Sequence, residues 1–322
     1  MTKMQFTVAI CTYNGANRLP EVLQCLQQQI NTENITWEIL VVDNNSTDNT
    51  AQIVAGYNNV RYCFESQQGA GFARQRAIRE AAAPLIGFLD DDNLPAADWV
   101  AAAVAFHAAH PEAGAYGSQI FGDFEAEPPP NFDQLAPFFA LTQRGPEPRL
   151  YEPGQKVLPP SAGLVVQKQV WLDTVPDRCI LSGRKPGSML TGEDLEVLAY
   201  IQKAGYSIWY NPAMQLKHKI PKHRLQKEYL IPFFRGIGHS RHVTRMLGVP
   251  PWARPLALVG YALNDIRKII LLLIKYNFQV KTDLISACQL ELFIGSLNSP
   301  FYLWKNGYLS LVNGPLSLVP WG

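Results

Sequence analysis

The sequence predicts an α/β fold on a mostly parallel central sheet flanked by helices, with a helical, basic extension at its C-terminal end. Three observations lead there. Short β-rich runs alternate with helical patterns through the first ninety or so residues, polar residues collect where those runs end, and cations crowd into one block after residue 215.

The elements can be taken in order. FTVAICTY (6–13), EILVVDN (38–44), VRYCFE (60–65) and LIGFLDD (85–91) read as strands. Helical patterns fill 16–29, 46–57 and 71–83, and Ser46 or Thr47 ahead of Asp48 supplies an N-cap for the second. Such alternation means βαβ units and a parallel sheet, whose ligands bind beyond the carboxyl ends of the strands. Those ends carry Thr12, Tyr13 and Asn14, then Asp43 and Asn44, then Asp90, Asp91 and Asp92. Further on, 96–110 is an Ala-rich helix, 115–124 a strand, 126–160 rich in loops, and 161–167 a strand leading to a short segment around Trp171. A helix over 191–206 opens with Gly192, Glu193 and Asp194, and 207–212 is a last strand before the basic block.

Composition bounds the possibilities. Of 322 residues, 47% are hydrophobic and 17% charged, which is a folded protein and not a disordered one. Five scattered cysteines without a CxxC pair argue against a disulfide framework and a zinc site, and fit a reducing compartment. MTKMQFTVAICTYNG lacks an apolar core with a cleavage site, so no signal peptide is expected. The net charge of +1 hides an asymmetry: residues 1–215 carry 14 Lys/Arg against 23 Asp/Glu, and residues 216–281 carry 13 against 2. A block that basic suits phosphates or an anionic membrane. QQGAGFAR (67–74) lacks the third glycine of a dinucleotide fingerprint and follows the third strand, and no GxxxxGK[ST] occurs.

The run FLDDDN (88–93) poses the chemical question. Three adjacent aspartates repel unless something neutralises them; a turn that caps a helix is one solution. A hard divalent cation shared between one or two carboxylates and substrate phosphates is the other.

CTYNG (11–15), VVDNNSTDNT (41–50), GAGFARQRAI (69–78), FLDDDN (88–93), GED (192–194) and His218 in LKHKIP together resemble the family 2 inverting glycosyltransferases of GT-A, nucleotide-sugar-binding fold. The motifs run in family order over roughly residues 5–220. Residues 191–230 further resemble the transferases of cyanobacterial extracellular polysaccharide synthesis, the hormogonium type included. The resemblance implies a catalytic domain over 1–220 and an extension over 221–322. It implies Thr12, Tyr13 and Asn14 in the nucleotide pocket, Asp43 on the base, and Gly71 and Arg74 at the nucleotide or diphosphate. Asp90 and Asp91 would contact the donor, Asp92 and His218 a Mn2+ or Mg2+ ion, and Asp194 would act as catalytic base. Glu193 and Trp171 are acceptor candidates. Asn44 departs from the family's second acid.

The expected reaction is one in-line transfer from a nucleoside diphosphate sugar, UDP-sugar favoured, to a hydroxyl of a glycan or lipid-linked acceptor. A carboxylate near a helix N-terminus stays ionised because the helix dipole favours the anion. Residues 255–294 are too often interrupted by charge to span a bilayer and read as amphipathic helices on an anionic membrane or on a second subunit. The expected location is cytoplasmic, peripheral at the inner face of the plasma membrane, with no nucleic-acid partner. A sugar nucleotidyltransferase and a non-catalytic nucleotide-sugar-binding module are the rival readings; CTYNGANR has no Gly-rich triphosphate loop for the first.

Overall fold

A computed structural model describes residues 3–153, 157–277 and 279–309. The chain forms two compact units, Met1–Glu125 with Ala136–Asp177 and Tyr200–Ile220, and Ala126–Leu135 with Arg178–Ala199 and Pro221–Gly322.

The first unit holds a nine-stranded sheet. Its strands are β1 (Phe6–Thr12), β2 (Trp37–Asp43), β3 (Val60–Phe64), β4 (Leu85–Asp90), β5 (Asn93–Pro95), β6 (Ala113–Phe124), β7 (Arg149–Leu150), β8 (Val165–Gln167) and β9 (Ser207–Ile220). Their order is β3-β2-β1-β4-β8-β6-β9-β5, with β7 on β9. From β3 to β4 every pairing is parallel; beyond it β8 runs antiparallel to both neighbours, and β6 and β9 are parallel again. The helices α1 (Leu19–Gln27), α2 (Thr50–Ala55), α3 (Ala70–Glu80), α4 (Trp99–Ala109) and α5 (Lys168–Thr174) belong to this unit. β1, β2 and β4 are buried along almost their whole length, as parallel strands covered on both faces must be. Phe6, Val8, Ile10, Leu23, Val41 and Trp99 are among the core side chains. Gly87 is needed there: a Cβ would lie 2.6 Å from both Phe6 and Trp99.

Three sequence expectations shift. The second helix begins at Thr50 and not at 46, because Ser46 N–H donates to Asp43 and Asp48 accepts from Thr50 N–H, spending 45–49 in turns, with Asn45 at φ 62°. The strand expected over 161–167 starts only at Val165, since Leu164 N–H turns back to Ser161 and Gly163 sits at φ 68°. The last strand runs past 212 to Ile220, burying Leu216, His218 and Ile220 alternately. His218 is therefore a strand residue, paired with Asn93 on one side and Gly122 on the other.

α6 (Glu193–Lys203) opens in the second unit, and its last residues count with the first. Among the described residues the second unit also holds three long helices: α7 (Lys227–Met246), α8 (Arg254–Lys275) and α9 (Leu284–Lys305). Glycines bring α7 against α9. A Cβ on Gly238 would meet the Leu292 carbonyl oxygen at 2.6 Å, and one on Gly295 would meet that of Arg235 at 2.7 Å. Ser299 Oγ accepts from His242 N–H at 3.0 Å and donates to the His239 carbonyl, and His239 stacks on Tyr302 at 3.8 Å. No helix among the described residues is long and apolar enough to cross a membrane.

Candidate active site

The parallel register sets Thr12 beside Asp43 and Cys11 beside Asp90, so the carboxyl ends of β1, β2 and β4 share one rim. Loops stitch it together. Asn14 N–H donates to Ser46 Oγ at 2.8 Å, Gly15 N–H to Thr50 Oγ1 at 2.9 Å, Ala16 N–H to Asp48 at 3.1 Å, and Thr47 N–H to Asn14 Oδ1 at 2.8 Å. Gly15 tolerates no side chain, since a Cβ would fall 2.0 Å from Thr12 Oγ1. Tyr13 stays exposed.

Asp43 is buried and engaged at both oxygens, accepting from Ser46 N–H at 2.9 Å and from the Tyr62 hydroxyl at 2.9 Å. Burial and the Asp43 carboxylate push the Tyr62 phenol up to about 12, so it remains a donor. Asn44 shows why an acid is absent next door. Its Nδ2 donates to the Gln67 carbonyl at 2.6 Å while its Oδ1 accepts from Gly69 N–H at 2.7 Å, and a carboxylate could supply only the second bond. That amide fixes the loop leading to α3, whose first turn carries Gly71 and whose buried Arg74 reaches Asp90 at 3.4 Å.

The three aspartates divide their tasks. Asp90 keeps its carboxylate partly exposed. Asp91 turns toward α1: Arg18 donates to it through Nε at 2.7 Å and Nη2 at 2.9 Å, and Thr12 Oγ1 donates at 2.5 Å. Burial pushes the Asp91 carboxyl up, and the Arg18 contacts pull against it. Asp91 and Thr12 thus brace the rim together. Asp92 Oδ2 stands 3.5 Å from His218 Nε2, and Asp92 Oδ1 accepts from Asn93 Nδ2 at 3.2 Å. The other His218 nitrogen, Nδ1, lies 2.8 Å from the Phe139 carbonyl. A carbonyl can only accept, so Nδ1 carries a proton and Nε2 is the nitrogen that faces Asp92. Backbone-anchored imidazole beside carboxylate is the donor set a divalent ion takes from protein when phosphates and water complete its shell. Among the described residues no cluster of three or more His, Cys, Asp or Glu could hold a metal by itself, so such an ion would depend on its ligand's oxygens.

Glu193 and Asp194 stand on the first turn of α6 in the second unit. Gly192 precedes them at φ 95°, and Asp194 Oδ1 accepts from Leu195 N–H at 2.8 Å. Two residues on, Glu196 is fully buried and accepts from Ile180 and Leu181 N–H at 2.8 and 2.7 Å. Burial raises its carboxyl to about 7, against the pull of those two bonds.

Trp171 does not offer a sugar-stacking face. It is 2% exposed, packs at 5.7 Å on Phe88, and its indole donates to Gln75. Cys11 is likewise packing: burial lifts its thiol to about 12. Residues that sequence reasoning passed over are Arg18, Tyr62 and Glu196. Arg18 alone carried a signal, as the cation that closes CTYNGANR ahead of a helix.

Comparison with known proteins bears on the fold. The fold is the GT-A fold of glycosyltransferases. The mannosyltransferase PcManGT from Pyrobaculum calidifontis, in complex with GDP-Man and Mn2+, superposes with a TM-score of 0.57 at 18% identity, over 94% of this chain and 87% of that one. S. aureus TarS 1-349 in complex with UDP-GlcNAc gives 0.52 at 16% identity, over 95% and 93%. Residues 7–155 match the family described as Glycosyl transferase family 2. The validoxylamine A glucosyltransferase of Streptomyces hygroscopicus subsp. jinggangensis is 32% identical over 138 residues, 41% of this chain. That match spans 32% of the relative's length.

Proposed function

We propose that the chain is a metal-dependent, inverting glycosyltransferase that moves a sugar from a nucleoside diphosphate sugar to a hydroxyl acceptor. The observation that carries this is the Asp92–His218 pair at the rim, with His218 held by the Phe139 carbonyl. A Mn2+ or Mg2+ ion bound by Asp92 and His218 would supply Lewis-acid relief of the charge gathering on the departing diphosphate. Arg74 and Asp90 orient the donor, and Asp43, steadied by Tyr62 and Ser46, meets the base. Asp194 takes the acceptor proton as general base, a role typically worth 10²–10⁴-fold.

The likeness to a UDP-GlcNAc complex favours UDP-sugars, and the likeness to a GDP-Man complex keeps GDP-sugars in the test. The acceptor is a growing glycan or a lipid-linked sugar of extracellular polysaccharide synthesis, met by residues 221–322 at an anionic membrane surface. The test is nucleoside diphosphate release from a panel of UDP-, GDP- and dTDP-sugars with manganese, magnesium or EDTA. Release from one donor that EDTA stops supports the reading. A nucleotidyltransferase would liberate pyrophosphate from a nucleoside triphosphate, and a binding module would take up donor without cleaving it.

A further inference from the structure

The second unit contains a helix that is sorted inside out. On α8 and the turn before it, Trp252, Leu256, Val259, Leu263, Ile266, Ile270 and Ile274 recur every three or four residues, and all are exposed, Trp252 by 80%, Leu256 by 74% and Ile274 by 65%. Its inward side carries an acid, Asp265, 1% exposed, held by both Arg245 terminal nitrogens at 2.6 and 2.9 Å and by Ser296 at 2.6 Å. With Pro255, Gly260 and Leu271 added, the exposed apolar arc spans roughly 160° at the 100° step of a helix, wider than the two-in-seven seam of a coiled coil.

Charge decides what covers it. The only acid on α8 is Asp265, and it is spent on Arg245 and Ser296; Arg267 lies inside the arc toward its Leu271 edge, and Lys275 just past that edge. A second copy would bring the same excess, 13 Lys/Arg against 2 Asp/Glu over 216–281, so like charge opposes self-association and an anionic surface is the complement. Two further cations, Arg241 on α7 and Lys268 on α8, have Asp265 as a nearby counter-charge, but that carboxylate is already held by Arg245 and Ser296. Arg241 and Lys268 stand over the Phe293 ring at 6.0 and 5.3 Å, with no carboxylate in ion-pair range among the described residues. Arg241 Nη1 is buried without a hydrogen-bond partner. Burial first and the neighbouring Arg245 second draw Arg241 down to about 10, against the pull of Asp265.

We propose that α8 docks on an anionic lipid surface, its apolar arc entering the acyl boundary while Arg241 and Lys268 receive a lipid headgroup phosphate. This deepens the acceptor side of the transferase reading and rests on it for purpose, whereas the binding itself needs no donor. The probe is flotation of the full chain with phosphatidylcholine vesicles, alone or with about one-third phosphatidylglycerol. The expected result is at least about tenfold stronger binding to the anionic vesicles, weakened by salt. Leu263→Ser with Ile270→Ser should abolish it, and Lys268→Gln, alone or with Arg241→Gln, should cut it about tenfold for the pair with an unchanged melting temperature. Equal binding to neutral and anionic vesicles, no binding to either, or a dimer that the two serines dissociate would each overturn the proposal. A protein that floats but cleaves no donor contradicts the transferase reading alone; one that cleaves donor but does not float contradicts this proposal alone.

Discussion

The rim of β1, β2 and β4 and the outer side of α8 sort their side chains in opposite ways. At the rim, acids lie at the ends of buried apolar strands and are held by named donors: Asp43 by Ser46 and Tyr62, Asp91 by Arg18 and Thr12. On α8 the acid is inside beside Leu272, and seven large apolar side chains, from Leu256 to Ile274, are outside. Buried carboxylates cost folding free energy unless every oxygen is satisfied, and a broad exposed apolar face is uncommon on a monomer. Each region therefore carries a feature that folding alone does not select. On the readings proposed above, the rim would take a charged small ligand, and α8 a surface with an apolar interior and an anionic skin.

Damage to the two regions should read out differently. The largest effect falls on Asp194, which lies among the helices but is assigned to chemistry. Asp194→Asn should lower transfer at saturating donor about 10²–10⁴-fold with melting temperature and donor affinity unchanged. Full transfer by that variant would remove it from the reaction.

His242 tests the helical side. It is 4% exposed with neither ring nitrogen bonded, and burial beside Arg254 pulls its pKa from 6.5 to about 4. The unfolded chain takes up the proton first, so stability is lost as pH falls from 6.5 towards 4, by about 3 kcal/mol in all. Melting curves of His242→Leu should lose most of that acid sensitivity; an unchanged slope would place the sensitivity elsewhere.

The close approach of α7 and α9 gives a smaller, purely structural effect. Gly295→Ala puts a methyl against the Arg235 carbonyl, and should cost about 1–3 kcal/mol in chemical denaturation. Donor cleavage by the surviving folded protein should be unaffected.

Smallest, and on the rim, is Asp91→Asn. It weakens the Arg18 brace without touching Asp92 or His218, and should raise the half-saturating manganese concentration about tenfold, with kcat at saturating metal little changed. A loss of kcat alone would give Asp91 a direct part in the reaction.

How much of this was legible beforehand depends on the range of each interaction. The rim followed from strand alternation, because the β1–β2 and β1–β4 registers bring Thr12, Asp43 and Asp90 together with no side-chain knowledge. His218 was located by motif, but its strand was missed. Leu216, His218 and Ile220 alternate inward, and Lys217 and Lys219 between them made the run look like a basic surface. The Arg18–Asp91 brace joins positions 73 apart, and no local period signals it. Asn44 stood out as a missing acid, and only the carbonyl of Gln67 explains the choice. Trp171 was ambiguous because an aromatic near a predicted site suits sugar stacking and core packing alike, and its bond to Gln75 settles it as packing. On α8 the apolar spacing was plain from sequence, whereas the direction it faces depends on where Asp265 found its partners.

The central claim is that Asp92 and His218 hold a divalent ion for donor cleavage. Its most direct test is a manganese titration of nucleoside diphosphate release, wild type beside Asp92→Ala. The expected result is saturable, EDTA-sensitive release by the wild type and a loss of about 10²–10³-fold in the variant, with an unchanged melting temperature. Release that ignores manganese, or that survives Asp92→Ala, would contradict the account.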